Sequence, residues 1–283
     1  MGVMGVSTVF PWPIWAKASP RTYPYGDLGF IFITLIGVVY LILMWFIGIS
    51  FYKAFKASSR REIKYFSIGL LSIAFFDTLH SAGNALFYFL NDSRVPIEIG
   101  SVTIYYLPFA TSLSTMGLFI CYTMIYLYAA VMMRNQIAAV DKFVILLGII
   151  SIFVGFNPYN WWHMVPPEGT IDTKPLTGTL ILIMGFITAI MFIKNYRVRL
   201  KRELREKPHS VIRLKLTLIG IILLVAQIFL MTLHGTMATI KAPWAATALL
   251  IITGAKLISL SLSVTFIYIG TIWPAWAEKI FKK

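Results

Sequence analysis

A chain of 283 residues that is 58% hydrophobic and only 13% charged, with a mean hydropathy of +0.79, lacks the surface charge that a soluble domain of this size needs. Most of its side chains must meet lipid. The formal net charge of +14 does not point to nucleic acid, because the basic residues sit in short segments between long apolar runs. The single cysteine, Cys121, falls inside such a run and rules out an intrachain disulfide.

Residues 1–27 hold Phe10, Trp12, Trp15, Tyr23 and Tyr25 among prolines and read as an extended segment at the outer membrane interface. No basic stretch precedes an apolar core there, so no cleavable signal peptide is expected. A membrane span takes about 20 mostly apolar residues. Seven runs qualify, at 28–52, 65–90, 105–132, 142–157, 177–194, 216–238 and 245–270, the fourth being the shortest. The connection at 155–176, with Trp161, Trp162, His163 and four prolines, reads as interfacial anchoring that could also lie as a lid. Residues 271–283 place Trp276, Ile280 and Phe281 among lysines and read as a short helix on the inner surface. The expectation is an all-α, polytopic integral membrane protein whose seven-helix domain covers 28–270.

Orientation follows from Lys and Arg. The connections after the first, third and fifth spans and the C-terminal tail carry 5, 2, 9 and 3 of them, or 19 of the 25, against five on the other side and Lys256 within the seventh span. The positive-inside bias puts the N-terminus outside and the C-terminus in the cytoplasm of a multi-pass cell-membrane protein. The nine between the fifth and sixth spans, from Lys194 to Lys215, read as a basic 194–215 loop that contacts anionic lipid headgroups.

Ionisable residues inside spans are expensive, about 2.5–3.5 kcal/mol at mid-helix, so each needs a partner or a role. Asp77, His80, Ser81 and Asn84 share one face of the second span; Thr253, Lys256 and Ser263 share one of the seventh, and Gln227 and His234 one of the sixth. Thr111, Thr115 and Tyr122 are wall candidates on the third. At ~1.5 Å per residue, Asp77, His80 and Lys256 fall at about 18, 22 and 21 Å from the inner edge, and His234 at about 27 Å. A polar pocket between the second and seventh helices is expected, closed by the sixth, with Asp77 and Lys256 neutralising each other. Interhelical hydrogen bonding is the plainer account of Gln227, Ser81, Asn84 and the seventh-span serines.

The stretch Ile68-Gly69-Leu70 through Phe75-Phe76-Asp77-Thr78-Leu79-His80-Ser81 resembles the G-x-L-D-x-L-H-T signature of the third class of membrane-associated sensor (MASE) domains. Gly254-Ala255-Lys256-Leu257-Ile258-Ser259 resembles that family's H-x-x-K-I-x-S element, and Asn157-Pro158 with Gly169 to Lys174 its loop before the fifth helix. The resemblance implies a seven-span input module in which Asp77, His80 and Lys256 occupy the family's polar positions, and His234 does not. Such domains are normally fused to a kinase or cyclase. No soluble domain follows the seventh span here, so output is expected through a separate cytoplasmic signalling partner.

The favoured reading is a sensor rather than an enzyme, with a small ligand bound by Asp77, His80, Ser81, Asn84, His234 and Lys256. The alternative is a metal site in which His80, His234 and Asp77 hold zinc with an open water position, as in seven-span hydrolases of the alkaline ceramidase and adiponectin receptor kind, or a haem between the two histidines. The paired histidines of those hydrolases are missing here. Lys256 lies in the seventh span as in retinal proteins, but the third span lacks the arginine and aspartate counterion of microbial rhodopsins, and Ile252 stands where an aspartate would precede the lysine. No internal repeat or Gly/Pro-broken helix pair suggests a transporter.

Overall fold

The computed structural model describes residues 17–18, 25–100, 102–132, 138–157, 160–161, 164–165, 174–206, 208–237 and 242–277. Seven helices, α1 (Gly26–Ser58), α2 (Arg61–Leu90), α3 (Tyr106–Met132), α4 (Ala138–Phe156), α5 (Lys174–Glu206), α6 (Pro208–Met237) and α7 (Pro243–Ile272), account for nearly all of them. All seven are long and apolar enough to cross a membrane. The chain is an all-α, multi-pass helical bundle, and the seven runs read from the sequence each lie on one helix.

Four short strands accompany them: β1 (Lys17–Ala18), β2 (Pro96–Ile99), β3 (Val102–Tyr105) and β4 (Met164–Val165). β2 and β3 form an antiparallel hairpin between α2 and α3, turning at Gly100 with φ +63°. Beside it, hydrogen bonds from Arg94 hold the Asp92 carboxyl below its usual range. β1 pairs with β4, Lys17 opposite Val165. That pairing puts the segment before α1 and the connection after α4 on one side of the bundle, as four crossings between them require.

The 194–215 segment is not a loop. α5 runs on to Glu206 and α6 starts at Pro208. Arg, Lys, Leu and Glu are strong helix formers, no Gly or Pro interrupts 194–206, and Pro208 occupies the first helical position, where its missing N–H costs nothing. The basic side chains from 194 to 210 lie outside the described residues.

α3 is the central helix: 61% of its most apolar window is buried inside the bundle, against 17% for α1. α1 presents a narrow stripe, Tyr40, Met44, Ile47 and Phe51, inward and the rest of its apolar surface outward. α2 packs most extensively on α3, and α6 on α7; α1 joins α2 to α7, α5 joins α3 to α6, and α4 packs against α3. Small residues make these approaches possible. Three times a serine hydroxyl donates to a glycine carbonyl of the next helix: Ser67 to Gly48 at 3.2 Å, Ser112 to Gly155 at 2.5 Å and Ser263 to Gly220 at 2.6 Å. Gly155 lies in the last turn of α4, so Ser112 satisfies a carbonyl that the helix itself leaves without a partner.

Where α6 meets α7 the backbones touch. A Cβ on Gly270 would lie 2.5 Å from the Arg213 carbonyl oxygen and 2.8 Å from the Thr217 nitrogen, and one on Gly220 would lie 2.7 Å from the Ser263 carbonyl oxygen. Gly270→Ala is expected to destabilise the protein by about 1–3 kcal/mol in detergent melts, because backbone cannot step aside. Gly37→Ala, which meets nothing within 4 Å, is expected to be neutral or mildly stabilising. The C-terminal end of α7 is clamped as well: Arg213 donates from Nε to the Gly270 carbonyl at 3.2 Å and from Nη2 to that of Thr271 at 2.6 Å, and the Tyr128 and Thr271 hydroxyls lie 2.7 Å apart. Trp273 follows in the left-handed region at φ 55°, under the Arg213 guanidinium.

Trp161 departs from its expected interfacial role. It is fully buried, set against Phe109 and Phe156, with its indole N–H on the Phe156 carbonyl at 3.1 Å. It is a core residue that closes the bundle between α3 and α4. Trp162, His163, residues 1–16 and the lysines of the tail lie outside the described residues; Trp276 is exposed, as an interfacial anchor would be.

Candidate intramembrane site

Asp77 is the centre of the polar layer. The Tyr40 hydroxyl on α1 donates to its Oδ2 at 2.6 Å, and the Ser114 hydroxyl on α3 donates to its Oδ1 at 2.5 Å. One carboxylate on α2 is thus gripped from two helices, α1 and α3. Next to it, the Trp45 indole N–H reaches the Thr78 hydroxyl at 3.2 Å, tying α1 to α2 a second time.

Neither grip residue was among the sequence candidates. Tyr40 stands in a run of aliphatic residues and passes there for an apolar side chain. Ser114 stands among Thr111, Ser112 and Thr115, and the two candidate threonines turn their hydroxyls to their own helix, on the carbonyls of Leu107 at 2.8 Å and Thr111 at 3.0 Å. The signal that selects Ser114 is the antiparallel register of α2 and α3. Gly69 sits against Cys121 and Gly83 against Leu107, so Asp77 must face the turn that holds Ser114.

Lys256 stands at the same depth. Asp77 and Lys256 are each 13 residues from the ends of their helices on the N-terminal side of the bundle, Leu90 and Pro243, about 20 Å at ~1.5 Å per residue. They interact electrostatically. The expected direct ion pair is absent: no N···O contact within 4.0 Å joins them among the described residues. The reason is geometric. The carboxylate is drawn toward the α1 and α3 hydroxyls, whereas the lysine face of α7 is held to α6 by Ser259 on the Leu223 carbonyl at 3.1 Å and Ser263 on that of Gly220. Among the described residues no hydrogen bond engages the Lys256 ammonium.

The other predicted site residues divide. His80, one turn from Asp77, is half-buried. Asn84 is half-buried too, but its amide donates to the His80 carbonyl at 3.3 Å, a bond within its own helix. Ser81 is exposed at the bundle surface, so the expectation that it lines the pocket is corrected: a polar arc read over four positions is wider than the protein-facing side of α2. His234, in the last turn of α6, meets the Tyr25 hydroxyl at 3.4 Å, and the same hydroxyl lies 3.2 Å from that of Thr253 on α7. Burial pushes the Tyr25 phenol up, so it serves as a neutral hydroxyl. Tyr25 therefore bridges α6 and α7 about one turn above Lys256. Gln227 is buried and accepts from Tyr122 at 3.4 Å, linking α3 to α6.

This layout does not supply the metal site of the alternative reading. Among the described residues no group of three His, Cys, Asp or Glu side chains could hold a metal ion, and His80, His234 and Asp77 are all described. Asp77 turns toward α1 and α3, and His234 toward Tyr25 at the end of the bundle. No family model, curated protein or solved structure matches the chain. What the geometry offers is a carboxylate fixed by hydroxyls of α1 and α3 and, at the same depth on α7, a lysine ammonium that it does not contact.

Proposed function

We propose that the chain is a sensor of the cell membrane, with its N-terminus outside, that binds a small ligand at the Asp77–Lys256 layer and signals to a separate cytoplasmic partner. One observation carries this reading. Two opposite charges are held at one depth inside the bundle on different helix pairs, and they do not meet. Opposed charges that serve only stability are expected in contact, since their mutual attraction and hydrogen bonds must offset desolvation. A ligand that spans two such walls binds one helix arrangement better than another, which is the requirement for transmitting a signal.

The likeness of Gly69, Leu70, Asp77, His80 and Lys256 to the membrane-associated sensor domains supports the same reading. So does the long helical α5–α6 connection, whose basic residues from Lys194 to Lys215 suit anionic headgroups or an acidic partner surface. Movement of α6 against α2 and α3 would reach that connection directly.

The test is retention. Purified protein in nanodiscs is incubated with a small-molecule extract of the expressing cells, washed, denatured and analysed by mass spectrometry, beside the Asp77→Asn/Lys256→Met variant. At least one compound is expected on the wild type and not on the variant. Identical retention by two cooperatively melting proteins would remove the ligand pocket from the account.

A further inference from the structure

α1 and α7 meet twice and part in between. At the outer contact Gly254 has no side chain and Phe32 lies against it; a Cβ there would stand 3.0 Å from the Phe32 ring. At the inner contact the rings of Phe46 and Tyr268 meet edge to face, with centroids 6.3 Å apart. Phe32 and Phe46 are 14 residues apart, and so are Gly254 and Tyr268, so the two helices run parallel and in register over about 21 Å. Between the contacts Leu35, Ile36 and Val39 of α1 and Ile258, Ser261 and Leu262 of α7 line a cavity of about 300 Å³. All six lie within seven residues, about 10 Å, of the middle of their helix, inside a hydrocarbon core about 30 Å thick. Leu35, Val39, Ile258 and Leu262 are exposed, so the cavity opens to the bilayer. Ile258 is two residues from Lys256 and therefore on the other side of α7, which sets this groove apart from the polar layer.

We infer that the groove is a binding site for one alkyl chain of a membrane lipid, lying along α1 and α7 between the two aromatic contacts. The lining selects an apolar guest. Five of the six side chains are aliphatic, and the Ser261 hydroxyl donates to the Leu257 carbonyl of its own helix at 2.8 Å. Dispersion contact is what remains on offer, and a groove left empty would forgo it along its whole lining. Water does not fill an apolar space at this depth. A helix of another chain, about 10–12 Å across with its side chains, is too wide for a slot closed at both ends by touching rings. A flexible chain fits, and it enters sideways from the bilayer without the helices having to part.

The experiment is photolabelling of the full chain in nanodiscs that contain a phosphatidylcholine with a diazirine at mid-chain, followed by digestion and mass spectrometry. The comparison is with Leu146, Ile150 and Phe153 of α4, which are comparably exposed. Adducts on 35–39 and 258–262 are expected to exceed those on the α4 residues several-fold, because a held chain touches the groove on more than one side. Ser261→Phe fills the groove from α7, and Val39→Phe fills it from α1, so the result does not hang on the folding of one variant. Each is expected to remove the excess on the opposite helix and to leave α4 labelling unchanged. Even labelling of groove and α4 overturns the inference, as does an excess that both substitutions leave intact. Labelling of the groove below that of α4, as a second copy of the chain seated over it would give, overturns it as well.

Discussion

Asp77→Leu is expected to cost about 2–6 kcal/mol of stability, the range for leaving two buried hydroxyl donors without their acceptor. Two separate losses add up there. Lys256 keeps its charge with no opposite charge in the layer, and the Tyr40 and Ser114 hydroxyls lose their acceptor. Asp77→Asn should be milder, about 1–3 kcal/mol, since one amide oxygen can still accept while the NH2 faces a donor. The geometry also ranks the partners. In double-mutant cycles Asp77 should couple to Tyr40 by about 1.5–3 kcal/mol, the worth of a hydrogen bond to a charged group, and less to Lys256, which it does not touch. Thermal unfolding in detergent measures both. Stronger coupling to Lys256 than to Tyr40 would mean that the carboxylate points across the bundle instead of into α1.

Trp161→Ala should be comparably severe, about 3–5 kcal/mol, because a fully buried indole leaves a cavity between Phe109 and Phe156 that rigid helices cannot collapse. The carbonyl of Phe156 loses its N–H donor at the same time. Trp276→Ala, at an exposed tryptophan, should stay within about 0.5 kcal/mol. Equal melting points for the two variants would return Trp161 to the interfacial role that its sequence context suggests.

The helices were legible because their signal is cumulative. A run such as 28–52 has no reading other than a span, and a boundary error of a few residues changes nothing. Asp77 and Lys256 were legible for the opposite reason: single charges in apolar runs are costly enough to stand out alone. What decided the site was harder to read. Tyr40 and Ser114 differ little from their neighbours in composition, and only the register of α1 and α3 against α2 separates them from the other hydroxyls. That register depends on close glycine contacts such as Gly69 with Cys121, and on a β-hairpin before α3 that periodicity over a run of 15 residues between α2 and α3 does not disclose. Trp161 was misread because a Trp-Trp pair beside prolines has the composition of an interface anchor, whichever way each ring turns. The 194–215 segment has the charge density of a loop, while its residues favour helix.

The shared depth of Asp77 and Lys256 follows from seven alternating crossings, and cysteine labelling in intact cells reads that alternation directly. Cys121, the only native cysteine, is buried and should not react with an impermeant maleimide. A cysteine at position 170 should then be labelled from outside, and one at position 202 only after the membrane is opened. This matches the excess of basic residues on the side that carries 194–215. Labelling of both positions from the same side would contradict the seven crossings, and with them the shared depth of Asp77 and Lys256.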